Sequence, residues 1–69
     1  MKIRSYGKAE LAQLYNPNIA PASACKMLNT WIKLQPKLVQ ALQETGFSKS
    51  AKTLTPAQVK LIVDAIGEP

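Results

Sequence analysis

The sequence predicts an all-α fold: a compact four-helix domain with a helix-turn-helix core. Three observations carry this. Apolar residues recur at helical spacing in separate stretches. Proline, glycine or a polar turn bounds each stretch. The chain has 69 residues, enough for one small domain and no second core.

Residues 1–7 are too short for a helix. Ile3 and Tyr6 are placed to pack on the core from an extended arm. That arm is either a plain lid or a short strand paired with the later loop near Lys52 to Leu54. The first helix is expected over about 8–15, with Leu11, Leu14 and Tyr15 on its apolar face. Ala9 and Ala12 favour helix and allow a neighbour to come close. Asn16-Pro17 ends it, because a residue before proline is pushed out of the helical region. Ile19 is expected to plug the gap between the helices.

The second helix spans about 21–33. Pro21 suits the first helical turn, where a missing amide hydrogen costs nothing. Ala20 is a poor N-cap, so this start is weakly specified. Ala24, Met27, Leu28, Trp31 and Ile32 form the apolar stripe, with small Ala24 where the first helix crosses. The opposite arc carries Ser23, Lys26, Asn29, Thr30 and Lys33.

Leu34-Gln35-Pro36 breaks the chain and starts a third helix over about 36–45. Leu38, Val39 and Leu42 face inward, and Gly46 supplies a left-handed cap. Residues 47–54 form a basic loop anchored by Phe47 and Leu54. Its length permits a minimal wing or a short β-bridge, but it lacks the Asn-Gly or Asp-Gly of a tight hairpin.

The last helix, about 56–66, is the best specified. Thr55 is its N-cap, Pro56 its first residue, and Gln58 completes a capping box. Leu54 and Val59 are spaced for a hydrophobic staple across that cap. Val59, Ile62, Val63 and Ile66 repeat at helical spacing, and Gly67 ends the element.

Composition narrows the function. Apolar residues make up 46% of the chain, too many for a disordered chain of this charge. A domain of this size buries only about 60% of the surface its unfolded chain exposes, so its stability margin is thin. The net charge of +5 favours an acidic partner such as nucleic acid, and also serves solubility. No stretch reaches the length of a membrane-spanning helix, and polar residues interrupt the N-terminus too early for a signal peptide. A reduced, cytoplasmic setting is expected, with a free thiol at Cys25.

Catalytic chemistry is absent from this reading. There is no histidine, one cysteine and four acidic residues, Glu10, Glu44, Asp64 and Glu68, spread along the chain. No histidine base, metal site or activated thiol can be assembled from them. The three glycines sit at element boundaries, so no phosphate loop exists. Cys25 reads as a small helical residue and Trp31 as core. The expectation is a non-enzyme with no cofactor, no metal, no small-molecule substrate and no membrane.

The outward arc of the second helix suits the major groove of duplex DNA. Asn29 is able to read adenine, Lys26 and Lys33 to meet phosphate or guanine, and Ser23 and Thr30 to bond phosphate. Lys49 and Lys52 in the basic loop are placed to touch phosphate or the minor groove. Each of these seven is equally the kind of residue found on an ordinary solvated surface. No arginine lies in the second helix, which argues against tight base reading by one copy. RNA recognition lacks a motif here.

The chain resembles the small Bacteroidales proteins grouped as domain of unknown function family 4248. The resemblance rests on YGKAELAQLY at 6–15, the turn at 17–21, the set Ala24, Leu28, Trp31 and Ile32, Gly46-Phe47, and LTPAQVKLIVDAIGEP at 54–69. Members often carry Phe where this chain has Asn16. The resemblance implies a Bacteroides-type source and a small regulatory or mobile-element protein. The first two helices are also similar in outline to excisionase and MerR-like modules. The expected function is therefore a non-catalytic DNA-binding regulator. The alternative is a protein-interaction or adaptor module, acting as a homodimer or as a subunit of a larger complex, with Leu61 as an apolar spot.

Overall fold

The computed structural model describes residues 2–48 and 51–69. The element order is β1 (Tyr6–Gly7), α1 (Lys8–Tyr15), α2 (Pro21–Lys33), α3 (Pro36–Glu44), β2 (Thr53–Leu54) and α4 (Pro56–Ile66). The four helices begin where the sequence predicts. Only α3 stops one residue early, with Thr45 as its cap.

The N-terminal arm is a strand rather than a plain lid. β1 pairs antiparallel with β2, with Tyr6 opposite Leu54 and Gly7 opposite Thr53. The Lys8 amide donates to the Lys52 carbonyl at 2.8 Å and extends the bridge into α1. Among the described residues the loop forms no hairpin of its own, because its paired strand is the arm. Tyr6 is buried, and its hydroxyl donates to the Lys2 carbonyl at 3.0 Å. Ile3, expected on the core, is exposed.

α1 packs on α2, α2 on α3, and α3 on α4. Leu11, Leu28, Leu42, Leu54, Val59 and Ile62 are fully buried where these elements meet. Ala12 and Ala24 are also fully buried, so two small residues serve the close α1–α2 contact. Ile19 packs against the core from the turn, as expected of a plug. The Gln13 side chain donates to the Ile19 carbonyl at 3.3 Å and holds that turn.

Two expected core residues lie outside. Leu14 and Met27 are 45% and 39% exposed. In α1 the inward face is taken by Lys8, Leu11 and Ala12, at i, i+3 and i+4. Leu14 falls to one side of that row. In α2 the row Ala24, Leu28 and Ile32 is buried and Met27 flanks it. Trp31 is half-buried and packs edge-on to Tyr15, with ring centroids 5.9 Å apart.

α3 ends in a Schellman motif. Gly46 has φ of 81°, the Gly46 amide donates to Gln43, and the Phe47 amide donates to Leu42. That reversal turns Phe47 back onto the core. α4 starts with the full capping box. The Gln58 amide donates to the Thr55 hydroxyl at 3.2 Å, and the Thr55 amide donates to Gln58 Oε1 at 3.0 Å. Gln58 is itself buried, and its Nε2 donates to the Thr45 hydroxyl at 3.0 Å. One side chain therefore caps α4 and ties it to the end of α3. Thr55→Ala is expected to cost about 1 kcal/mol, read as a lower urea midpoint with an unchanged m-value.

A second tie closes the C-terminus. The Tyr15 hydroxyl donates to the Gly67 carbonyl across 52 positions of sequence. Burial raises the Tyr15 pKa above its ordinary value of 10.0, and the Glu68 carboxylate raises it further. The folded state therefore holds this proton longer than the unfolded chain does. The stability it contributes is complete below pH about 10 and is lost as pH rises through the folded pKa. Tyr15→Phe is expected to flatten the fall in urea midpoint above that pH.

Candidate nucleic-acid interface

α2 presents two opposite faces because its apolar residues recur at i, i+4 and i+8. Ser23, Lys26, Thr30 and Lys33 are exposed and Asn29 is half-buried. At 100° per residue, these five occupy roughly one third of the helix circumference. They lie opposite Ala24 and Leu28.

Two grooves border this arc. The first is a cleft of about 330 Å³ lined by Lys8, Ala9, Cys25, Asn29, Ala51 and Lys52. It brings Asn29 of α2 and Lys52 of the basic loop to one cleft, because the β1–β2 pairing draws the loop against the start of α1. The second, of about 230 Å³, lies between α2 and α3 and includes Asn29 and Lys33. Asn29 thus borders both grooves, with Lys52 in one and Lys33 in the other. Ser23, Lys26 and Thr30 line neither groove. Lys49 lies outside the described residues.

The Thr30 hydroxyl donates to the Lys26 carbonyl at 2.9 Å. Its hydrogen is committed to the helix backbone, so donating to a phosphate requires that bond to break. Ser23 is exposed in the first turn of α2.

The charge pattern reinforces the arc. No acidic residue lies between Glu10 and Glu44. Arg4 is paired with Glu10 at 3.5 Å and stacks over the Tyr6 ring, while Lys60 is paired with Asp64 at 3.2 Å. Both pairs lie outside α2, so no carboxylate on α2 itself offsets Lys26 and Lys33.

Lys8 was not legible as a buried residue from charge alone. It is 5% exposed, with Nζ 5.1 Å from the centroid of the Phe47 ring. The available signal was spacing: Lys8 stands at i with Leu11, Ala12 and Tyr15 at i+3, i+4 and i+7. Phe47 reads from the sequence as a loop anchor, but neither its place nor that of Gln43 in the α2–α3 groove is visible until α3 is folded against α2.

A family model matches residues 2–69 of the chain. The chain belongs to the family described as Domain of unknown function (DUF4248). No curated protein and no solved structure matches it. In this DUF4248 chain the segment Leu54 to Val59 is accounted for by folding. Leu54 and Val59 are buried, and Thr55 and Gln58 close the cap of α4. Among the described residues no group of acidic or sulfur side chains has the arrangement of a metal site. No helix is long and apolar enough to cross a membrane.

Proposed function

We propose that this chain is a non-catalytic helix-turn-helix protein that binds duplex DNA, acting as a small transcriptional or mobile-element regulator. α1 braces α2, and α2 presents Ser23, Lys26, Asn29, Thr30 and Lys33 to the major groove. Lys52, and Lys49 three positions before it in sequence, meet the flanking phosphates. The observation that carries this reading is the exposed arc of α2, which holds two lysines and no acidic residue beside a groove shared by Asn29 and Lys52. A chromosomal target in a bacterial cell implies a cytoplasmic site of action.

The test is binding to a labelled random duplex across a salt series. Four lysine–phosphate contacts predict a log–log salt slope of about −3 to −4, or a loss near a hundredfold between about 50 and 200 mM. A folded, helical protein that shows no duplex binding at the low-salt end removes the proposal.

A second reading rests on a different observation. Leu34 is 73% exposed at the end of α2, beside half-buried Trp31 and on the same side as Met27. This apolar stripe favours an adaptor that self-associates or joins a larger complex. Leu61, half-buried against the core, contributes little to it. Self-association predicts assembly that rises with concentration and resists salt, and a monomer by sedimentation at high concentration rules that form of the reading out.

A further inference from the structure

The groove between α2 and α3 has a composition that the fold does not require. Ile32, Val39 and the Phe47 ring supply apolar surface, and Asn29, Lys33 and Gln43 supply polar groups. Ile32 is almost fully buried, while Val39 and Phe47 are half-buried and stay in reach of a ligand. Among the described residues, the side chains of Asn29, Lys33 and Gln43 make no hydrogen bond within the chain. Two carboxamide residues and one lysine therefore line this apolar groove with their side-chain hydrogen-bonding capacity unspent. Among the described residues, Lys33 is the only ionisable group in the lining. The charge to be complemented is therefore negative.

From this we infer that the groove binds a small carboxylate with an apolar, preferably aromatic, body. The carboxylate meets Lys33 Nζ, and the Asn29 and Gln43 amides donate to its remaining lone pairs. The body lies over Phe47, Val39 and Ile32, where removal from water supplies most of the affinity. The volume, about 230 Å³, is below the range of roughly 300–1,000 Å³ typical of drug-sized ligands. It suits a single ring rather than a larger molecule. A duplex is no substitute for this ligand, since a phosphate backbone offers no apolar body for Phe47 and Val39.

Asn29 and Lys33 also belong to the proposed DNA arc. If the DNA reading holds, a carboxylate seated here withdraws both residues, and the groove becomes an effector site that lowers duplex affinity. The binding itself does not rest on that reading.

Phenylacetate titrated into the full chain, with amide shifts followed by NMR, tests the inference without DNA present. Saturable shifts centred on Asn29, Lys33, Gln43 and Phe47 are expected, with a dissociation constant near the millimolar range. Neutral phenylacetamide is expected to bind about three- to tenfold more weakly, since it forfeits the ion pair. Lys33→Ala is expected to weaken phenylacetate similarly, and Gln43→Glu, at an exposed position, to repel it. Shifts that never saturate, that centre elsewhere, or that are as large with the amide overturn the assignment. A tripeptide ending in phenylalanine that binds more than about tenfold tighter assigns the groove to a protein terminus instead, which also overturns it. Adding a duplex in a separate arm reads the competition. Absence of duplex binding there leaves the NMR result standing.

Discussion

Leu28→Ala is expected to remove a large share of this domain's stability, read as a much lower urea midpoint. Leu28 is fully buried on α2, between the helix that precedes it and the one that follows. Truncating such a leucine costs about 2–5 kcal/mol, from lost transfer free energy plus the cavity left behind. A domain of 69 residues has a total stability of about 3–10 kcal/mol. The loss is therefore a large fraction of the margin. Urea titration followed by far-ultraviolet circular dichroism reads it. The comparison that gives the result meaning is Leu34→Ala, six positions along, where the side chain is 73% exposed. That change is expected to stay within about 0.5 kcal/mol. Equal effects at the two positions mean that the packing of α2 is wrong.

The second large effect concerns binding. Lys26→Ala with Lys33→Ala is expected to weaken duplex binding about tenfold or more at low salt, and to make the log–log salt slope shallower by about 2. Each lysine removed is one phosphate neutralised less, so the slope reports the number lost. Alanine is the better helix former, so helicity is expected to be kept. Lys60→Ala serves as the control, because Lys60 lies on α4 and is paired with Asp64. It is expected to leave the slope nearly unchanged. A double variant with wild-type affinity and slope takes α2 out of the interface.

The helices were legible because their ends carry strong local signals. Pro21, Pro36 and Pro56 each open a helix, and Asn16-Pro17, Gly46 and Gly67 each close one. These residues act through their own backbone, so no tertiary information is needed to read them. The capping box of Thr55 and Gln58 belongs to the same class. Legibility ended where two faces of a helix were both partly apolar. Leu14 and Met27 fit the helical spacing of a core stripe, yet both lie at its edge. Periodicity assigns a face to within a wide arc, and only the neighbouring helix decides where that arc stops.

The candidate arc behaved similarly. Ser23, Lys26, Asn29, Thr30 and Lys33 share one face by helical geometry alone. What periodicity could not supply was their company. Asn29 shares a cleft with Lys52 because β1 and β2 pair, and a groove with Gln43 and Phe47 because α3 folds back on α2. The Thr30 hydroxyl, bonded to its own helix, shows the same limit at the scale of one group.

Four helices, their order, the caps at Gly46, Thr55 and Gly67 and the polar arc of α2 follow from the order of the residues alone. Each of these follows from interactions between residues within a turn or two of one another. Only the tertiary structure decided that the arm is a strand, that Lys8 is buried beneath Phe47, that Gln58 joins two helices, and that a carboxamide-lined groove opens beside Lys33. Those features join residues far apart in the chain. Their geometry exists only once apolar burial has brought the elements together.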